Sequence, residues 1–173
     1  MTIVGAADRA ASPEARFNAL FAHHYPAVFG YAARRAGRDE AGDAAAEVFT
    51  VAWRRLDRVP AEPEALPWLY GVARRVLANH ERATNRRLRL EAKAATVAAA
   101  ATPGPGASRL DVEAALARLG RADREVLRLA AWEELAPMEI AVVIGCSPNA
   151  AAVRLHRARQ RLAGEMQRGG STP

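Results

Sequence analysis

Residues 139–162, EIAVVIGCSPNAAAVRLHRARQRL, decide the fold of the C-terminal part, because they predict two helices joined by a sharp turn. Gly145 suits the left-handed conformation that commonly ends a helix. Ser147 can accept hydrogen bonds from the free amides of the next helix, and Pro148 fits its first position, where no donor is needed. A short helix, a glycine turn and a basic second helix form the pattern of the helix-turn-helix that binds DNA. A basic helical hairpin with a solvated charged face is the alternative interpretation.

Apolar and basic residues divide the surface of these two helices. Apolar side chains at helical spacing are expected to pack together. They are Ile140, Ala141 and Ile144 in the first helix and Val153, Leu155, Ala158 and Leu162 in the second. Arginines fill the remaining surface of the second helix, at Arg154, Arg157, Arg159 and Arg161.

The composition of the chain narrows the classes of protein. Its 173 residues carry a formal net charge of +6, which favours a polyanionic partner. Cys146 is the only cysteine, so an internal disulfide is impossible, and no Cys/His cluster has zinc spacing. We therefore expect no metal and no cofactor. No apolar run reaches membrane-spanning length, and the N-terminus lacks the apolar core of a signal peptide, which predicts a cytoplasmic protein.

The hydrophobic pattern predicts an all-α protein with two small helical domains. Valine and isoleucine occur at helical spacings and not in alternating runs, and alanine is abundant. The pattern dissolves in an Ala/Pro/Gly-rich stretch, where PGPG at 103–106 cannot continue a helix. We expect an N-terminal domain at 13–91, a flexible linker at 92–109 and a C-terminal domain at 110–168.

Three helices are predicted in the N-terminal domain. The first, which Pro26 could interrupt, has one buried face formed by Phe17, Leu20, Phe21, Tyr25, Val28 and Phe29. The second runs from about Asp39 to Leu56 and buries Val48, Phe49, Ala52, Trp53 and Leu56. The third begins near Pro67 and buries Trp68, Leu69, Val72, Val76 and Leu77. A basic run follows it.

Two further helices are predicted before the helix-turn-helix. The first contains Leu110, Val112, Leu116 and Leu119 and ends at Gly120; the second contains Val126, Leu127, Ala130 and Trp132. Together with the helix-turn-helix pair they form a four-helix unit. Such a unit is small for an independent core, so it should be only modestly stable unless bound.

Three segments in series resemble the extracytoplasmic-function group of bacterial sigma factors. AGDAAAEVFTVAWRRLDRV is similar to the acidic-to-aromatic helix of that family, and PWLYGVARRVLANHERATNRR is similar to its WLYRIARN-type helix with a basic tail. LARLGRADREVLRLAAWEELAPMEIAVVIGCSPNAAAVRLHRARQRL resembles its C-terminal domain almost end to end. Each motif alone is weak, and the three in order are specific.

The resemblance implies a dissociable subunit of RNA polymerase that is not itself an enzyme. In that family the N-terminal domain binds the clamp coiled coil of the largest subunit and recognises and melts the minus-ten element. The C-terminal domain binds the flap of the second-largest subunit and recognises the minus-thirty-five element. Promoter DNA and core polymerase are the implied partners, and an anti-sigma factor is a further partner that the family allows.

Matching the family motifs to this chain assigns residues to the N-terminal roles. The polymerase-binding face comprises Asp43, Glu47, Thr50, Arg54 and Arg55. The minus-ten and melting set comprises Ala65, Leu66, Arg74, Arg75, Asn79, Arg82, Arg86 and Arg87. Ala65 and Leu66 belong to the Pro-rich loop Arg58–Pro67, which is expected to capture a flipped base. Arg75 stands where the family usually has an asparagine, so a guanidinium replaces the polar capture group.

The helix from Pro148 carries the residues matched to the minus-thirty-five element. The outward positions Asn149, Ala152, Val153, His156 and Arg157 are expected to face bases. Arg157 could contact a guanine, and Ala152 or Val153 could meet a thymine methyl group. Arg154, Arg159 and Arg161 are expected to contact phosphates. Asn149 is equally explained as an ordinary helix-start residue.

Other functions have weaker support in the sequence. His23 and His24 form a pair with no carboxylate or cysteine at ligand spacing along the chain, which favours a surface or packing role. The main alternative is a helix-turn-helix transcriptional regulator with residues 13–91 as a sensor or interaction domain. An enzyme is disfavoured because no arranged catalytic group, Walker loop or glycine fingerprint occurs.

Overall fold

A computed structural model describes residues 12–92 and 107–169 of the chain. These residues form seven α-helices and one short 3-10 helix, with no strand among them, which confirms the all-α prediction. The helices are α1 Pro13–Ala36, α2 Arg38–Arg54, α3 Ala65–Ala92, α4 Ala107–Arg118, α5 Arg121–Ala131, α6 Pro137–Ile144 and α7 Pro148–Gly169. The chain divides into two compact units, Met1–Arg87 and Leu88–Pro173. Most of the predicted linker, 93–106, lies outside the described residues.

Helix α1 is continuous through Pro26, so the interruption that the sequence left open does not occur. The Ser12 side chain caps its start by accepting a hydrogen bond from the Ala15 amide at 3.2 Å. A proline inside a helix removes one hydrogen bond and costs roughly 3 kcal/mol. Burial of Val28, Tyr31 and Ala32 holds the second half of α1 in place despite that cost.

Helix α2 packs against α1 through small residues and one phenylalanine. Ala41, Ala44, Ala45 and Ala52 are buried on α2. Phe49 lies edge-on against Phe21, with ring centroids 4.8 Å apart. Trp53 is 44% exposed, contrary to the prediction; it lies one residue before the end of α2, and its ring meets that of Phe17 with centroids 5.1 Å apart. Leu56, expected in the same helix, begins the 3-10 helix Leu56–Arg58 and is half-buried.

Helix α3 begins two residues earlier than expected and completes the N-terminal unit. Leu69, Val72 and Val76 are buried as predicted, whereas Trp68 and Leu77 are only half-buried. The ring of Tyr70 stacks on Tyr31 of α1, with centroids 4.8 Å apart. Residues 81–89 are all exposed, so α3 has a buried face only in the turns that precede them.

The C-terminal unit is built around α7, which packs against α4, α5 and α6. Leu129 of α5, Ile140 of α6 and Leu155 of α7 supply buried side chains to one core. Gly120 separates α4 from α5, as the sequence predicts. Trp132 is the residue that follows α5, and it is exposed with the Arg128 guanidinium 5.1 Å from its ring centroid.

Candidate nucleic-acid and polymerase interfaces

The turn between α6 and α7 has the geometry that the sequence predicts. Gly145 adopts φ 73° and ψ 49°, and its amide donates to the Ala141 carbonyl at 2.9 Å. The Ser147 hydroxyl accepts a hydrogen bond from the Ala150 amide at 3.2 Å. The two helices bend by 101° at this break, within the range of about 90–120° expected for a helix-turn-helix. The predicted motif is therefore confirmed.

The first helix of the motif is fixed by one capping contact and by a short apolar face. The Glu139 carboxylate accepts a hydrogen bond from the Ala136 amide at 2.7 Å. Ile140 and Ala141 are buried as expected, but Val143 is buried more fully than Ile144. Val143 lies three residues after Ile140, and this helical spacing could have identified Val143 as a buried residue.

The exposure of α7 separates supporting residues from residues that solvent can reach. Leu155 and Ala158 are buried. Val153 is 40% exposed, so its expected packing role is wrong, because the turns that bury Leu155 and Ala158 direct it away from the core. Ala152 is half-buried, and the remaining predicted DNA-facing residues are exposed: Asn149, Arg154, His156, Arg157, Arg159 and Arg161.

Arg161 differs from the other arginines of α7 because an acidic residue of α5 holds it. Its guanidinium lies 2.5 Å from the Asp123 carboxylate, and the Asp123 side chain is only 18% exposed. Glu165 makes a second link within the unit, since it accepts from Arg118 of α4 at 3.1 Å. Arg161 therefore contributes to the packing of α7 on α5 as well as to its positive surface.

The exposed arginines of α3 form a second basic surface. Arg74, Arg75, Asn79, Arg82, Arg86 and Arg87 are all exposed. The Arg82 side chain donates to the Ala78 carbonyl at 3.1 Å and also contacts the Asn79 amide oxygen. Ala65 and Leu66 do not lie in the loop that precedes α3; they form its first turn. Ala65 is buried, so it cannot contact a captured base, and this part of the prediction is corrected.

Four of the predicted polymerase-binding residues lie on the exposed side of α2, and the fifth, Arg55, directly follows its last residue. Asp43, Glu47, Thr50, Arg54 and Arg55 are all exposed. The Thr50 hydroxyl donates to the Ala46 carbonyl at 2.8 Å, within the helix. One Glu47 carboxylate oxygen lies 2.7 Å from His80 Nε2, which links α2 to α3. The face therefore combines acidic residues early in the helix with arginines at its end.

The fold also brings together a group that the sequence did not indicate. His23 and His24 of α1 meet Glu62, from the segment between the 3-10 helix and α3. His24 Nε2 lies 2.5 Å from a Glu62 carboxylate oxygen. The contact joins residues that are 38 positions apart, so no local spacing could have revealed it.

Within 12–92 and 107–169, no single helix has the length and apolar character needed to cross a membrane. Taken together, the two helices of one bent pair, Pro137–Ile144 and Pro148–Arg168, have the length and apolar composition of a membrane span. This pair is the helix-turn-helix described above.

A two-unit helical chain with a basic helix-turn-helix has an architecture that is used by DNA-binding proteins, and the match to known families gives a narrower assignment. Residues 20–87 match Sigma-70 region 2, and residues 109–162 match Sigma-70, region 4. Between them the two matches cover most of the chain. The chain belongs to the sigma-70 family, as an RNA polymerase sigma factor. This family consists of non-enzymatic transcription initiation factors, and the sensor-regulator alternative is set aside.

Three solved structures have a similar fold. The sigma factor RpoE from Bartonella quintana, solved in complex with the anti-sigma factor NepR, is 21% identical with a TM-score of 0.64, and the match covers 87% of this chain and 96% of that one. CnrH, solved with the cytosolic domain of CnrY, is 24% identical with a TM-score of 0.61, over 94% of each chain. The PhyRSL–NepR complex from Sphingomonas sp. Fr1 is 17% identical with a TM-score of 0.61, over 87% of this chain and 88% of that one. No curated protein sequence matches the chain significantly.

Proposed function

We propose that the two units divide promoter recognition between them: the N-terminal unit binds core polymerase and captures and melts the minus-ten element, and the C-terminal unit recognises the minus-thirty-five element. The observation that carries the proposal is the pair of exposed basic surfaces, one on α3 and one on α7, each in a unit matched by a different sigma-70 region. Because each unit has its own core, we further propose that the two move independently, joined by a linker between the end of α3 at Ala92 and the start of α4 at Ala107.

The exposed start of α7 suits insertion into a major groove. The N-terminal residues of a second helix in this motif usually contact base edges. Asn149, Val153, His156 and Arg157 are available for such contacts, while half-buried Ala152 can offer only its methyl group. Arg154 and Arg159 are available for phosphates. The guanidinium of Arg161 already pairs with Asp123, so a phosphate would have to share it with that carboxylate.

The basic surface of α3 suits a separated DNA strand. Guanidinium groups can contact phosphates along the strand, and they can also stack on exposed bases. We assign base capture to Arg75 together with half-buried Leu66, and we remove buried Ala65 from the set. Arg74, Asn79, Arg82, Arg86 and Arg87 would follow the phosphate backbone, which gives affinity without sequence preference.

The exposed face of α2 is the proposed docking surface for the clamp coiled coil of the largest polymerase subunit. Acidic Asp43 and Glu47 lie about two to three turns before Arg54 and Arg55, so the face has an ordered charge pattern. Such a pattern can orient a partner helix of complementary charge. The C-terminal unit would contact the flap of the second-largest subunit.

An anti-sigma factor is a further proposed partner, and the cytoplasm is the proposed location. RpoE was solved with the anti-sigma factor NepR, and CnrH was solved with the cytosolic domain of CnrY. This chain exposes large apolar side chains in both units, including Trp53, Met138 and Val142. Exposed apolar groups of this kind are used in protein interfaces. No catalytic activity is proposed.

The proposal is tested by adding the purified chain to core polymerase. A sigma factor should co-elute with core and direct transcription from a promoter that core alone ignores. Charge reversal on the docking face, Asp43→Lys or Arg54→Glu, should weaken co-elution. Asp57→Lys on the 3-10 helix, which changes the net charge by the same amount as Asp43→Lys, is the control for that variant and should not weaken co-elution. Equal weakening by Asp57→Lys would mean that net charge, and not the α2 face, governs association.

A further inference from the structure

Two histidines and a glutamate converge on one side of the N-terminal unit. One potential ligand atom from each of His23, His24 and Glu62 lies within 4.8 Å of the others. His24 is 3% exposed, while His23 and Glu62 are open to solvent. The rings of the two adjacent histidines meet edge-on, with centroids 4.6 Å apart.

We propose that His23, His24 and Glu62 bind one divalent transition-metal ion, with Zn²⁺ as the best match. Two imidazole nitrogens and one carboxylate oxygen form a three-ligand set that zinc accepts, leaving a fourth position for water. Mg²⁺ and Ca²⁺ prefer sites made entirely of oxygen ligands, so the two imidazoles disfavour them.

The site can close around an ion through small movements of its exposed members. Ligands at about 2.0–2.2 Å from a tetrahedral zinc stand roughly 3.3 Å from one another. The longest separation here must therefore shorten, while the 2.5 Å contact between His24 and Glu62 must lengthen as the ion enters between them. His23 and Glu62 can change rotamer in solvent. Buried His24 supplies the fixed ligand.

The position of Glu62 gives the ion a structural consequence. Glu62 belongs to the segment between the 3-10 helix and α3, and the histidines belong to α1. A shared ion would therefore tie this segment to the helical core more firmly than the single His24–Glu62 contact. On the proposed function, the same segment leads into the base-capture residues, so the ion would hold them in position for strand opening.

The chain offers a matched control for metal binding. His80 pairs with Glu47 at 2.7 Å, which reproduces the histidine–carboxylate contact. No second histidine or other ligand joins that pair to form a three-ligand group within the described ranges 12–92 and 107–169. If a histidine beside a carboxylate were sufficient, both sites would bind metal equally.

The test is a Zn²⁺ titration of the full chain by calorimetry, after removal of any purification tag and of bound metal, with Co²⁺ absorption as the spectroscopic probe. We expect one equivalent to bind, with the absorption of a site that contains nitrogen and oxygen ligands. His23→Gln and Glu62→Gln should each weaken binding by about tenfold or more, since even outer contacts to a metal ligand are worth 10–100-fold in affinity. His80→Gln should leave binding unchanged, and circular dichroism should show all three variants folded.

Three outcomes would overturn the metal site: no stoichiometric binding, unchanged binding in both His23→Gln and Glu62→Gln, or an equal loss in His80→Gln. The titration contains neither DNA nor polymerase, so its result is separate from the proposed function. The consequence for strand opening has its own measurement. Zn²⁺ should increase promoter opening by the wild-type chain with core polymerase and should have no such effect with Glu62→Gln; an equal effect on both would contradict it.

Discussion

The two basic helices, α3 and α7, carry the same residue type on very different supports. Helix α7 lies on α4, α5 and α6, and its buried Leu155 and Ala158 fix which side faces solvent. Beyond its first turns α3 has no such support, because every residue of 81–89 is exposed. A supported helix can hold a few side chains in register with base edges, whereas an exposed row of arginines is suited to follow a charged strand. On the proposed function, we therefore expect support, and not arginine content, to separate sequence recognition from phosphate contact.

The largest expected effect is the loss of the support under α7 when a buried core side chain is removed. Leu129 is fully buried in the C-terminal unit, and Leu→Ala changes in cores cost about 2–5 kcal/mol. A unit of this size rarely has more than about 3–5 kcal/mol of stability, so Leu129→Ala should largely unfold it. Binding of an upstream duplex should be lost while association with core polymerase through the N-terminal unit persists.

The matched control is Leu69→Ala, which removes a fully buried side chain from the N-terminal unit. It should have the reverse effect, with loss of α2-dependent association and retention of duplex binding. Limited proteolysis provides the readout: the wild-type chain should be cut first between about Ala92 and Arg109 to leave two helical fragments, and each variant should retain only one. If either substitution unfolded both fragments together, the two units would not be independent.

The base-reading role of α7 is tested by Arg157→Ala against Arg159→Ala. A base-edge contact discriminates between sequences by about 1–3 kcal/mol, while a phosphate contact lowers affinity on every sequence and depends on salt. Arg157→Ala should therefore reduce the preference for a matched over a scrambled upstream duplex. Arg159→Ala should weaken both duplexes equally. The measurement is duplex affinity across a salt series, and an equal loss on both duplexes for Arg157→Ala would remove it from the base-reading set.

On α3, Arg75→Ala should affect strand opening more than duplex binding. A captured base is available only after the strands separate, and loss of one stacking partner costs about 1 kcal/mol. With core polymerase, closed-complex formation should be largely intact and permanganate-detected opening reduced. A pre-melted bubble template should recover part of the lost transcription. Equal weakening of closed and open complexes, without rescue by the bubble, would make Arg75 another phosphate contact.

The smallest expected effect concerns Arg161, which pairs with Asp123. Arg161→Ala should lower the free energy of unfolding of the C-terminal unit by about 0.2–1 kcal/mol, the range of exposed ion pairs. Asp123→Asn should cause a similar loss of stability without removing the positive charge from α7. Thermal unfolding at low and high salt measures both. Wild-type stability in Asp123→Asn would show that the pair contributes only to the surface charge.

Local sequence signals predicted much of this molecule correctly. Gly145, Ser147 and Pro148 shape the turn through contacts with residues close to them in sequence. Their backbone conformation and capping roles therefore follow from the residue types. The four-helix organisation of the C-terminal unit follows from periodicity in the same way. The exposure of Trp53 does not, because it depends on where α2 ends and on which neighbours cover it.

Contacts between distant segments account for the remaining differences. Glu62 reaches His24 only after α1 and α3 have packed, and Asp123 reaches Arg161 only when α5 supports α7. Ala65 was predicted to contact DNA because its segment matches a family loop, but the first turn of α3 buries it. Spacing along the chain cannot reveal a neighbour that the tertiary fold supplies.

The most direct test of the account is transcription by core polymerase and the purified chain on fragmented host genomic DNA, followed by sequencing of the transcript 5′ ends. We predict a discrete set of start sites that share two upstream sequence elements, absent with core polymerase alone. Arg157→Ala should blur the upstream element and leave the downstream one intact, whereas Arg75→Ala should lower transcription from the same sites. Start sites without shared elements, or a pattern identical to that of core polymerase alone, would contradict the division of promoter recognition between α3 and α7.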